Sequence, residues 1–290
     1  MSSRSGAFPV RAAGWPRFAH RPSARAGLVL GGIILLIALG GPFVAPHPFD
    51  AIVGPAFQAP DSHFPLGTDF LGRDVLSRVL YGGRTVVGLA GAATLLAYLI
   101  GVSIGLLAGF SRSLLDPLLM RAMDVLLAFP PVLFLLVLAT GAGPSPVALV
   151  LGVATVNVPN IARIVRSATL DVSVRGYVEA AVARGEPTAV LLAREILPNI
   201  ANTLLADCGI RFTGSILLVA AVNFLGLGLQ PPTADWALMI SENRDGLTIQ
   251  PWALAAPALM IALLTICVNL VADGVARSLG RSLDSESAVR

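Results

Sequence analysis

The 290-residue sequence predicts an all-α polytopic membrane protein with six transmembrane helices. Three observations carry that prediction. Hydrophobic residues make up 55% of the chain and charged residues only 13%, against about 25% charged in ordinary soluble domains, and the mean hydropathy is +0.79. The uncharged runs are as long as a helix needs to cross a bilayer core of about 30 Å. Clusters of Pro and Gly divide those runs where the chain must turn back.

The elements follow in order. Residues 1–25 form an N-terminal arm that carries Arg4, Arg11, Arg17, Arg21 and Arg25 and no acidic residue. It reads as a cytoplasmic anchor ahead of a first span; an organelle transit peptide is the less favoured reading. The high pI of about 9.4 rests entirely on Arg, since the chain has no Lys. With no aromatic-interleaved basic stripe, nucleic acid is excluded as a partner. Ala26 to Ala45 is the first span, too long for the apolar core of a signal peptide and followed by no small-x-small cleavage site. The rest of the segment 26–84 is external and amphipathic. In "GTDFLGRDVLSR" the Asp69 and Arg73 pair has the i,i+4 spacing of an interfacial helix.

Residues 85–276 form a five-helix core. Thr85 to Ser111 is the second span, with Gly88, Gly91, Gly101, Gly105 and Gly109 placed to let neighbouring helices approach. Val125 to Ala162 carries no charge, and as one helix it would be about 57 Å long. "GAGPSP" at 141–146 therefore breaks it into a third span ending near Thr140 and a fourth from Ser145 to Ile164, with Pro130, Pro131 and Pro159 as kinks. The fifth runs from Ile200 to Val222 and the sixth from Trp252 to Ala272; residues 277–290 are a C-terminal tail. Fifteen of the twenty Arg residues then fall on the side of the termini, four opposite, and Arg211 within span five. The positive-inside rule makes the side of the termini cytoplasmic and the protein a multi-pass component of a plasma membrane. Cys208 and Cys267 read as small buried hydrophobes, and His20, His47 and His63 lack partners at metal-ligand spacing.

Between spans four and five the chain turns abruptly polar. In "YVEAAVARGEPTAVLLAREILPNI", Glu179 opens a short helix, Ala181 and Gly185 share a small smooth face, and Pro187 ends or restarts the helix. A second amphipathic helix follows, terminated by Pro198. Periodicity alone leaves open an elbow lying in the headgroup layer. The residues Glu179, Ala180, Ala181, Gly185, Ile196, Leu197 and Pro198 resemble, with the same spacing, the "EAA…G…I-LP" signature of the permease subunits of binding-protein-dependent ABC importers. "HFPLGTDFLGRDVLSRVLYGGRT", "MDVLLAFPPVLFLL", "NFLGLGLQPPTADWALMI" and "NLVADGVARSLGRSL" are similar to the C-type permeases of the dipeptide, oligopeptide and nickel group, apart from Phe64 inserted between His63 and Pro65. Essentially the whole chain after the arm is covered.

The resemblance implies a type I ABC importer permease fold and no enzymatic activity. Residues 165–198 would be the coupling loop, docking on a cytoplasmic ATPase. The implied partners are a homologous B-type permease, two ABC ATPase subunits, an extracytoplasmic solute-binding protein and the lipid bilayer. No cofactor is expected on this chain. ATP and Mg belong to the ATPases, since the chain has no Walker A motif and no Lys to complete one. The implied cargo is a dipeptide or oligopeptide, with nickel chelates or glutathione as alternatives on the same architecture. An ion-coupled secondary transporter is a weaker alternative, because neither repeated halves nor midplane ionisable residues on an unwound span are evident. Asp207 and Arg211 are the intramembrane charges, four apart on one face of span five. They either lock that span to a neighbour or line the translocation path and hold peptide termini, with Asn157, Asn160 and Asn269 as further candidates for the path.

Overall fold

The computed structural model describes residues 22–111 and 113–287, with side-chain surroundings for those between 25 and 274. Most of the N-terminal arm, with Arg4, Arg11, Arg17, Arg21 and His20, lies outside the described residues, as does Arg112. The helices are α1 (Pro22–Val44), α2 (Val75–Phe110), α3 (Leu115–Leu127), α4 (Pro131–Ala142), α5 (Pro146–Ser173), α6 (Gly176–Ala183), α7 (Thr188–Phe224), α8 (Trp236–Asn243) and α9 (Trp252–Ser287). Five are long and apolar enough to cross a membrane, and α3 with α4 makes a sixth crossing bent by 82°. The six expected spans are thus present. The third is not one kinked helix but two, because Pro130 and Pro131 cannot supply the N–H groups that would carry the α3 ladder onward, and Pro131 instead starts α4.

The α2–α5 seam is the densest in the bundle. Gly101, Gly105 and Gly109 of α2 lie against Ile161, Val165 and Thr169 of α5 so closely that a Cβ on Gly105 would stand 2.5 Å from the Val165 Cβ. Gly88 and Gly91 have no such neighbour, so only the lower three glycines of the predicted set make a close approach. α1 packs on α2 and α9, and α7 crosses α2, α5 and α9. Three apolar clusters fill the spaces between them, one centred on Ile161, Val165 and Ile196, one on Val86, Ile216 and Trp236, and one on Ala93, Val153 and Val219.

At one end of the bundle, residues 45–74 and 225–251 form a polar cap. The interfacial helix expected over Asp69 and Arg73 does not form. Gly67 (φ 70°) and Gly72 (φ 81°) turn the chain, and isolated β-bridges join Ile52 to Arg73 and Thr68 to Asp74. The predicted ion pair does form, Arg73 Nε to Asp69 Oδ2 at 2.6 Å, but it is buried rather than interfacial. Helix α2 begins at Val75, ten residues before the predicted start. Asp74 caps it by accepting from the Leu76 and Ser77 N–H groups; of the two charges that α2 carries before the apolar run, Arg84 is exposed and Arg78 is neutralised within the cap.

Candidate functional site

At the opposite end of the bundle the chain leaves α5 at Ser173, makes α6 and enters α7 at Thr188. Helix α6 ends in a hydrogen-bonded wrap: the Gly185 N–H donates to the Val182 carbonyl (2.9 Å) and the Glu186 N–H to the Ala181 carbonyl (3.3 Å). This double bond pattern is a Schellman cap, and it requires Gly185 in the left-handed region, where φ is 77°. Gly185 therefore does not share a smooth face with Ala181, as the spacing predicts. It is needed for backbone conformation, and no atom lies within 4 Å of the place a Cβ would occupy. Val178 and Ala181 are buried against the bundle, while Glu179, Ala180 and Gly185 face outward. Arg184 pairs with Glu186 across the cap, Nη2 to Oε1 at 2.6 Å.

Pro198 does not end the following helix, contrary to expectation. Residues 191–196 form a π-helical segment in which the Leu197 N–H reaches the Leu192 carbonyl. The wider turn removes the clash a proline ring makes with the carbonyl four residues back, so α7 passes through Pro198 unbroken. Ile196 is buried in the apolar cluster, Leu197 packs against it, and Pro198 is exposed. The seven signature residues thus frame one element: a capped helix joined by short links to two long helices.

Within the bundle, Asp207 and Arg211 face each other as predicted, Arg211 Nε lying 3.2 and 3.3 Å from the two carboxylate oxygens. Tyr98 of α2 donates its hydroxyl to Asp207 Oδ2 at 2.8 Å. Asn157 belongs to a separate group. It donates to Ser215 Oγ (3.2 Å), which also bonds Thr94 (2.8 Å), tying α2, α5 and α7 together in the buried interior. Asn160 lines a recess of about 70 Å³ at the α3–α4 bend with Phe129, Phe134 and Thr155. Asn269 accepts from Thr213 at 3.4 Å. Asp207 and Arg211 thus form one group, while Asn157, Asn160 and Asn269 each have different neighbours. Cys267 is buried, whereas Cys208 is only half-buried.

Sequence reasoning missed the cap's charge cluster. Glu242 Oε2 bonds both Arg73 Nη2 (3.0 Å) and Arg78 Nη2 (2.9 Å), while Arg78 Nη1 lies 3.4 Å from Asp69. Two acids and two guanidinium groups, all nearly excluded from solvent, join the segment before α2 to α8. Burial pushes the Glu242 carboxyl up, and Arg78 and Arg73 pull it back down. Residues 164 apart in the chain leave no local signal of such a contact. Tyr98 was legible only as a lone polar group in an apolar span. His47, isolated in sequence, lies 3.4 Å from Asp74.

Residues 101–285 match the model of the binding-protein-dependent transport system inner membrane component family, and residues 11–64 match the N-terminal transmembrane domain of oligopeptide transport permease C. The chain is 35% identical to a di/tripeptide transport system permease protein of Pseudomonas aeruginosa, over 93% of this chain and 91% of the relative. It is 34% identical to a glutathione transport system permease protein of Pectobacterium atrosepticum (93% and 91% covered) and 30% identical to an oligopeptide transport system permease protein of Haemophilus influenzae (89% and 84%). These relatives are membrane permease components and not enzymes. With the helical bundle, the capped elbow and matches across nearly the whole sequence in agreement, the chain belongs to the family of binding-protein-dependent transport system inner membrane components.

Proposed function

We propose that this chain is the transmembrane permease subunit of an ATP-driven importer of short peptides, and that residues 176–186 are the element through which a separate ATPase drives it. The observation that carries this reading is the elbow itself. Helix α6 is pinned to the bundle by Val178 and Ala181, offers Glu179 outward, and is joined to α5 and α7 by short links, residues 174–175 and 184–187. A push on α6 reaches two spans at once. Glu179 and Ala180 form the docking face, Ala181 anchors it to the bundle, Gly185 shapes the turn, and Ile196, Leu197 and Pro198 join the elbow to α7. The excess of Arg on this side of the sequence layout supports a cytoplasmic position for it and for both termini.

The importer is completed by a homologous B-type permease, two ATPases that bind ATP and Mg, and an extracytoplasmic solute-binding protein. Peptide cargo is favoured by the relatives named for di/tripeptide and oligopeptide transport. Glutathione, itself a small peptide, is a second cargo supported by another relative's name. Transport alternates between two states that ATP binding and release bias in turn.

The test is uptake into proteoliposomes holding the full complex. Gly185→Val places a β-branched residue at φ 77°, a strain of about 1–3 kcal/mol that the turn relieves by changing shape. It is expected to lower ATP-driven uptake about tenfold while ATP hydrolysis and membrane insertion persist, and Glu179→Lys to do the same. ATP-driven uptake by this chain alone would sink the importer reading. Normal uptake by both variants would leave the elbow without a coupling role.

A further inference from the structure

The trio of Tyr98, Asp207 and Arg211 is asymmetric in a way that its sequence spacing does not show. Tyr98 and Arg211 each lie about two-thirds of the way along α2 and α7, well inside two long apolar helices, where an ionised side chain is costly. Asp207 is engaged at both of its polar atoms: Oδ2 takes the Tyr98 hydroxyl at 2.8 Å, both oxygens face Arg211 Nε, and its side chain is 9% exposed. Arg211 is not. Among the described residues its recorded hydrogen bonds all go through Nε, and its side chain is 21% exposed. It stands at the edge of the α7 stripe of Thr203, Ile210 and Leu217, which the rest of the chain leaves uncovered. The Nη1 and Nη2 groups thus form a planar donor fork, oriented from behind by a carboxylate that is itself held by a tyrosine.

We infer that Arg211 recognises the C-terminal carboxylate of the passing peptide, with Asp207 and Tyr98 as positioning residues. This rests on the peptide-importer reading above. The two peptide termini are not treated alike, because Asp207 is buried with both oxygens already in hydrogen bonds, whereas Arg211 is more exposed and bonds only through Nε. The Arg211 and Asp207 charges sum to zero, so the cargo carboxylate is held by the geometry of the fork rather than by a net positive charge. Such a contact orients the peptide and still lets it leave.

The experiment compares a peptide with its C-terminal amide in proteoliposomes holding the full complex, each delivered by saturated binding protein. The ratio of acid to amide uptake is read relative to wild type, so that the binding protein's own preference cancels. Arg211→Gln is expected to lower that ratio about tenfold, the loss of a charge-assisted pair. Arg211→Lys should lower it less, and Tyr98→Phe and Asp207→Asn should lower it partially through a looser fork. An unchanged ratio in Arg211→Gln overturns the inference. If Arg211→Gln does not assemble, Arg211→Lys decides by the same ratio. If neither assembles with the second permease, Arg211 is an interface residue and the inference also fails. Absence of any uptake by the wild-type complex would instead overturn the importer reading.

Discussion

At Asp235 three donors converge on one carboxylate oxygen while the other has none. Oδ1 accepts from Asn223 Nδ2 (3.0 Å) and from the Ala237 and Leu238 N–H groups (3.0 and 3.1 Å), capping α8, and Oδ2 is buried without a partner. Burial raises the carboxyl from 3.8 to about 6, against the pull of those bonds. The folded state therefore binds the proton more readily than the unfolded state. Stability from this group is present at low pH and is lost as pH rises from about 4 through about 6. The difference corresponds to at most about 3 kcal/mol. Asp235→Asn keeps the cap and cannot ionise, so its thermal midpoint should match wild type below about pH 4 and exceed it at about pH 7.5. A gap between the two that does not widen with pH would contradict this account. Gly185 is the converse case, where conformation and not charge selects the residue.

Among elements, the α2–α5 seam separates glycines that look alike in sequence. A Cβ at Gly105 would meet the Val165 Cβ at 2.5 Å and the Ala162 carbonyl oxygen at 2.6 Å, so the helices must part to admit it. Gly105→Ala is expected to lower stability by about 1–3 kcal/mol, as overpacking does. Gly88→Ala meets nothing within 4 Å and should be neutral or stabilise slightly through helix propensity. Thermal unfolding of the purified full chain in detergent compares the two; equal effects would mean that the seam is not tight. The same seam carries motion from the elbow, because α5 runs into α6 and packs along α2. On the other face of α5, Arg166 grips Asp116 of α3 through two bonds (2.6 and 2.7 Å), and Arg163 pairs with Asp124. The bent α3–α4 pair is thereby tied to the helix that enters the elbow.

For the molecule as a whole, the polar cap joins the first and last thirds of the chain at the end away from the elbow. Trp236, fully buried, donates to the Val79 carbonyl at 2.8 Å, Gln250 donates to the Leu66 carbonyl, and Glu242 bridges Arg73 and Arg78. Removing the bridge leaves two buried guanidinium groups sharing one carboxylate, Asp69, with the Thr233 carbonyl 3.3 Å from Arg78 Nη2. Glu242→Ala is expected to cost about 3–5 kcal/mol and to open residues 45–74 to protease, whereas Glu242→Gln should cost less. Unaltered protease resistance and thermal midpoint in Glu242→Ala would show that the cap is held by Trp236 and Gln250 alone.

The sequence by itself determined the number of spans, their order and the presence of a polar elbow between the fourth and fifth, because apolar run length and Pro or Gly punctuation act locally along the chain. It misjudged boundaries where tertiary contacts neutralise a charge or absorb a proline. Helix α2 starts before Thr85 because Arg84 is exposed and Glu242 compensates Arg78, and α7 runs through Pro198 because a π-turn makes room. Only the tertiary structure decided what the polar groups do. Asp207 is committed to a tyrosine 109 residues away, Asp69 and Arg73 are buried rather than interfacial, and Gly105 is pinned while Gly88 is free. The physical reason is the same in each case: the partner that sets the energy of a buried charge or a close approach comes from another helix, and local spacing contains no record of it.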